Sequence, residues 1–104
     1  MPKFILAYHG GGRPDTHEAR QAAMAAWGAW MEKYKAEIVD PGAPVGQSQT
    51  VSSDGVADHG GANPLSGYTI LNCADMQTAI SIAQDCPIVD HNGGSVEVAP
   101  ILEM

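Results

Sequence analysis

LSGYTILNCADMQTAISIAQDCPIVDHNGGSVEVAP, residues 65–100, reads as strand, helix, turn and strand. The opening run, LSGYTILN, mixes β-branched, aromatic and apolar residues, as a half-buried strand does. Met76, Ala79, Ile80 and Ala83 then fall at i, i+3, i+4 and i+7, which makes one apolar helical stripe. Asp75 with Thr78 supplies a helix start, and Pro87 stops the helix just after Cys86. Asn92-Gly93-Gly94 is a turn, because glycine takes positive φ without steric cost. In the closing strand Val96 and Val98 point one way, and Ser95, Glu97 and Ala99 the other. The stretch is the second half of a split β-α-β unit.

Working outward, KFILAY at residues 3–8 is a short apolar run expected to be a central strand. HGGGRPD must be a loop. Asp15 with Glu18 resembles a capping box at the start of a helix reaching about residue 35. Ala23, Ala26, Trp27, Trp30 and Tyr34 keep helical spacing, widened by Met24 and Met31. Gly28 in mid-helix implies close packing there. Asp40-Pro41-Gly42 and Ala43-Pro44 read as strand breakers, so residues 45–51 (VGQSQTV) are the expected second, edge strand. Residues 52–63 read as a polar, glycine-rich loop. The order is β-α-β-loop-β-α-β in a single domain, residues 1–104. With right-handed crossovers it predicts an α+β, ferredoxin-like βαββαβ fold: a four-stranded antiparallel sheet with two helices on one face.

The chain has 104 residues, 44% of them hydrophobic and 16% charged, which places it among globular proteins. A chain this short buries only part of its apolar surface alone, so a homodimer is expected. Net charge −7 with only 5 Lys plus Arg argues against nucleic acid as a partner. No apolar run reaches membrane-spanning length. No signal peptide is visible, since the apolar run at residues 4–7 is too short for one, and a cytoplasmic location is expected. Cys73 and Cys86 flank the second helix, form no CxxC, and are expected to be free and reduced.

AAWGAWMEKY (25–34), Asp54-Gly55 after a Thr-Val pair, SGY (66–68), AISIAQDCP (79–87) and GGSVEVAP (93–100) resemble the YCII-related, or DGPF, family. The resemblance covers most of the chain. It implies a ferredoxin-like protomer that pairs through its open sheet face into a dimeric α+β barrel. Some relatives carry a His–Asp pair proposed as catalytic. Trp27 stands at the helix position matching that histidine, so that chemistry does not carry over. Val56-Ala57 also replaces the Pro-Phe of the DGPF motif.

Among chemical motifs, His9-Gly10-Gly11-Gly12 resembles a hydrolase oxyanion loop, but the chain has no GxSxG elbow to serve it. No P-loop lysine follows either. His9, His17, His59 and His91 match no metal-ligand spacing, so neither metal nor other cofactor is expected. The densest polar gathering expected is at one rim of the sheet, where the first loop should meet residues 52–63. There Arg13 would hold an anionic group, His9 or His17 would move a proton, and Asp54 would orient the imidazole. The bland alternative is two neighbouring surface loops, with Asp15 merely capping its helix. His59 belongs to the same rim. Glu97 should face the open side of the sheet, in a pocket or in a dimer contact. Tyr8 and Tyr68 lie on the central strands, where a buried hydroxyl needs a partner and one of them would reach the pocket. Trp27 and Trp30 read first as core. Two functions fit: a small-molecule-binding homodimer doing cofactor-free acid–base chemistry, such as an isomerisation or hydrolysis, or a non-catalytic ligand-binding module of the same fold.

Overall fold

A computed structural model describes residues 1–11, 15–90 (without the Asp90 side chain) and 93–103. Arg13, His91 and Asn92 lie outside the described residues. The apolar run at the N-terminus forms β1 (Lys3–His9), followed by α1 (His17–Lys33) and β2 (Ile38–Pro44). A short hairpin, β3 (Thr50–Ser52) and β4 (Gly55–Ala57), precedes β5 (Leu65–Asn72). Then come α2 (Met76–Gln84), the single-turn α3 (Pro87–Asp90) and β6 (Ser95–Pro100). The main sheet has the order β2-β5-β1-β6, antiparallel throughout, which is the expected ferredoxin-like plan.

Strand alternation divides the sheet cleanly. Phe4, Leu6, Tyr8, Thr69 and Leu71 are buried on the helix-covered face. Ile5, Ala7, Ile70 and Ala99 are half-buried on the other. Trp30 of α1 and Ala79, Ile82 and Ala83 of α2 join the same core cluster as Phe4, Leu6 and Leu71, so both helices cover one face. The Trp30 indole N–H donates to the Ile82 carbonyl at 3.0 Å, in a buried site. An aromatic ladder runs along α1: Tyr8 to Trp27, Trp27 to Trp30 and Trp30 to Tyr34 all meet edge-to-face, with centroids 5.4, 5.8 and 6.0 Å apart. At its foot the Asp85 carboxylate accepts from Lys33 Nζ (2.7 Å) and Tyr34 Oη (2.8 Å), which joins the C-terminal ends of α1 and α2.

Several local expectations need correction. The second strand is Ile38–Pro44, passing straight through the presumed breakers. An edge strand has only one side to pair, so it tolerates proline and irregular register. Its register against β5 shifts twice, and Asp40 Oδ1 accepts from the Gly42 N–H to fold the bulge. The span 52–63 is no plain loop, because β3 and β4 pair across it with Val51 opposite Val56. Thr16, rather than Asp15, caps α1, its hydroxyl accepting from the Ala19 N–H at 3.0 Å. Ile82 takes the buried position on α2 while Ile80 is half-buried. Nothing lies within 4 Å of the Cβ that Gly28 lacks, so close packing does not explain that glycine. Asp75 caps α2 as expected, accepting from the Thr78 N–H and hydroxyl. Cys73 and Cys86 are buried and form no disulfide among the described residues. Among the described residues no helix is long and apolar enough to cross a membrane.

Gly42 has φ +70°, and a Cβ there would fall 1.7 Å from the Tyr68 carbonyl oxygen. Gly42→Ala is expected to cost more than about 2 kcal/mol, from backbone strain plus the clash. Gly46→Ala, with nothing within 4 Å of its Cβ, should stay within about 0.5 kcal/mol of wild type. Urea denaturation of the two variants measures both. The Lys33 and Tyr34 hydrogen bonds hold the Asp85 carboxyl below its ordinary range, and the Thr78 bonds do the same for Asp75. A depressed carboxylate contributes stability above the unfolded pKa of about 3.9, lost as pH falls through the folded value. Urea midpoints between neutral and strongly acidic pH should therefore drop on the acid side. Asp85→Asn should flatten that drop, leaving the part due to Asp75.

Candidate functional site

Small residues on the sheet and large ones on α1 create a cavity. Arg20, Ala23, Met24, Trp27 and Met31 lie at i, i+3, i+4, i+7 and i+11, and this face of α1 looks across to β2 and β5. Opposite stand Gly42, Ala43 and Gly67, which offer almost no side chain to fill the gap. A Cβ on Gly67 would meet the Ala43 carbonyl oxygen at 3.1 Å and the Tyr8 ring at 3.3 Å, so glycine keeps β2 and Tyr8 close. The space between has a volume of about 540 Å³. That lies within the range typical of small-molecule pockets.

Few polar groups line it. The Tyr8 hydroxyl donates to Thr69 Oγ1 at 2.6 Å, and Thr69 Oγ1 donates to the Pro41 carbonyl at 3.0 Å. This chain crosses β1, β5 and β2 and pins the edge strand to the sheet. Burial pushes the Tyr8 phenol well above its ordinary range; the Thr69 hydrogen bond opposes the shift and the neighbouring Cys86 adds to it. The phenol is therefore a neutral donor rather than an acid. Ser66 also borders the cavity, but alternation along β5 turns its side chain to the face shared with Ile70, where its Oγ is enclosed and has no hydrogen-bond partner among the described residues. Among the described residues no imidazole or carboxylate lines the cavity.

The expected rim residues are arranged differently. His9 Nδ1 lies 3.0 Å from the Asn63 carbonyl oxygen, and Nε2 lies 3.0 Å from Glu97 Oε1. The end of β1 does therefore touch the end of the 52–63 segment, but the carboxylate at His9 is Glu97, not Asp54. Glu97 faces the open side as expected. A carbonyl only accepts, so Nδ1 carries a proton, and Nε2 faces a carboxylate. Both ring nitrogens are engaged. The Glu97 side chain is 71% exposed, so the pair is a surface contact of small energetic weight. Asp54 sits exposed at the hairpin turn, its N–H bonded to Ser52 Oγ, and has no hydrogen bond to a histidine among the described residues. His17 is exposed at the start of α1. His59 is exposed, and its Nδ1 accepts from the Gly61 N–H in a local turn. Tyr8 and Tyr68 both line the cavity, and Arg13 lies outside the described residues. Arg20 and Trp27 were missed as site residues. The signal for them was present in the i, i+7 spacing from Arg20 to Trp27, but which way that face looks is a tertiary fact.

A solved structure with the same fold is that of a 5-chloro-2-hydroxyhydroquinone dehydrochlorinase from Burkholderia phenoliruptrix AC1100, in complex with 2,5-dihydroxybenzoquinone. It superposes with a TM-score of 0.58 at 20% identity, covering 98% of this chain and 95% of that one. No curated protein sequence matches the chain. The model of the YCII-related domain matches residues 1–104, and the chain belongs to the YCII-related family.

Proposed function

We propose that the chain is a cytoplasmic, single-domain, non-catalytic binding protein that takes a small, ring-bearing, largely apolar molecule into the cavity between α1, β2 and β5. The observation that carries this reading is the cavity itself: about 540 Å³, bordered by Trp27, Tyr8 and two methionines, with a floor kept open by Gly67. Aromatic edges and thioethers suit flat apolar rings. The likeness to a dehydrochlorinase holding a benzoquinone supports a ring-sized ligand for this fold. Turnover is not part of the reading, because a proton transfer near neutral pH wants an imidazole or carboxylate, and none lines the cavity among the described residues. The two buried thiols suit a reducing compartment.

A second reading, acid–base catalysis, is favoured by the His9–Glu97 contact at 3.0 Å. It places the chemistry at the rim and requires His9 to give up one of its two partners when a substrate binds. His17 and Asp54 have no part in it unless a partner subunit brings them closer. That partner is also proposed: among the described residues no helix crosses the sheet face bearing Ile5, Ala7, Ile70 and Ala99, and a second copy covering it would remove that apolar area from water.

Two measurements test the proposal. Calorimetric titration with 2-naphthol should show saturable binding by the wild-type protein and none by Ala23→Phe, whose ring fills the cavity. Circular dichroism establishes that this variant is folded. Equal binding by the two proteins would remove the cavity from consideration. Light scattering at micromolar concentration should give twice the 10.9 kDa chain mass, and a stable monomer would end the dimer proposal.

A further inference from the structure

We infer that the cavity selects ring-bearing molecules carrying one anionic group, a carboxylate or its equivalent, which Arg20 receives at the mouth; the inference rests on the cavity being the ligand site. Arg20 lines the cavity and is also exposed, which puts its side chain where the cavity opens to solvent. Among the described residues Lys33 is paired with Asp85 and Lys35 with Glu32, whereas Arg20 has no ion pair. Glu18 lies two residues away on the same helix, a spacing that does not bring side chains face to face. Arg20 also serves the helix poorly. It is the fourth residue of α1, near the positive end of the helix macrodipole, where a cation is disfavoured. A guanidinium that pairs with nothing described and opposes its own helix has its chemistry directed into the opening beside it.

Beyond Arg20 the wall is largely apolar and aromatic, with Tyr8, Trp27, Met24, Met31 and Ile88. The matching ligand has a ring body and one anionic group for the guanidinium fork. The chain's net charge of −7 makes the local cation necessary, since an anion is otherwise repelled from this surface.

The test compares 2-naphthoate with its neutral isostere 2-naphthamide, by calorimetry, in wild type, Arg20→Gln and Arg20→Lys. The acid is expected to bind the wild type about tenfold or more tighter than the amide, with an advantage that shrinks as salt rises. Arg20→Gln should abolish the preference while leaving amide binding in place, and Arg20→Lys should restore part of it. If acid and amide bind wild type alike, or if the preference survives in Arg20→Gln, the anion inference is overturned and the cavity reading stands. If neither of these ligands nor 2-naphthol binds, both fall together.

Discussion

The Trp30 indole donating to the Ile82 carbonyl is the contact on which the arrangement of layers depends. It is buried, fixes the spacing of α1 from α2, and sits in the middle of a ladder of four aromatic rings. Aromatic side chains this large hold a helix away from the sheet beneath it. Where the ladder lies over β1 and α2 the space is full. Beyond its edge, over β2 and β5, the helix stays at the same height but the sheet offers glycine and alanine. The cavity is therefore a by-product of one side being built tall and the other low, not of a missing element.

That origin separates two kinds of chemistry. The helix-covered side of the sheet has aromatic rings, thioethers, the hydroxyls of Tyr8 and Thr69, and a guanidinium. The imidazole and carboxylate of His9 and Glu97 are joined at the end of the sheet, with Glu97 on the open face. A relative with a histidine where Trp27 stands would place an acid–base group beside the cavity. This chain has an aromatic wall there instead, which enlarges the surface for ring contact.

Strands β5 and β6 and helix α2 were legible in the sequence because each signal there was local: alternation in Val96 and Val98, a cap at Asp75, a stop at Pro87; the single turn α3 that starts at that proline read as part of a turn, being too short to show a period. The first half was harder to read. Residues 38–44 contain two prolines and a glycine, and they are a strand only because β5 supplies one paired side and the other side needs nothing. The three-residue strands β3 and β4 carry too little pattern to announce themselves, so their hairpin passed for a loop. The carboxylate partner of His9 comes from 88 residues later, across an antiparallel pair, and no spacing rule reaches that far. Arg20 carries no local sequence signal of which way its side of α1 looks; only the packing of α1 over the sheet sets it beside the cavity.

The two prolines of β2 also govern how the sheet can grow. Of the seven residues in that edge strand, Pro41 and Pro44 have no N–H to give, and the bulge at Gly42 twists the line of carbonyls. At the opposite edge, β6 runs through Ser95–Pro100 with proline only as its last residue. The sheet thus has one sealed hem and one open one. Any strand recruited from outside, whether from another molecule or from a misfolded neighbour, has a continuous ladder to join along β6 alone.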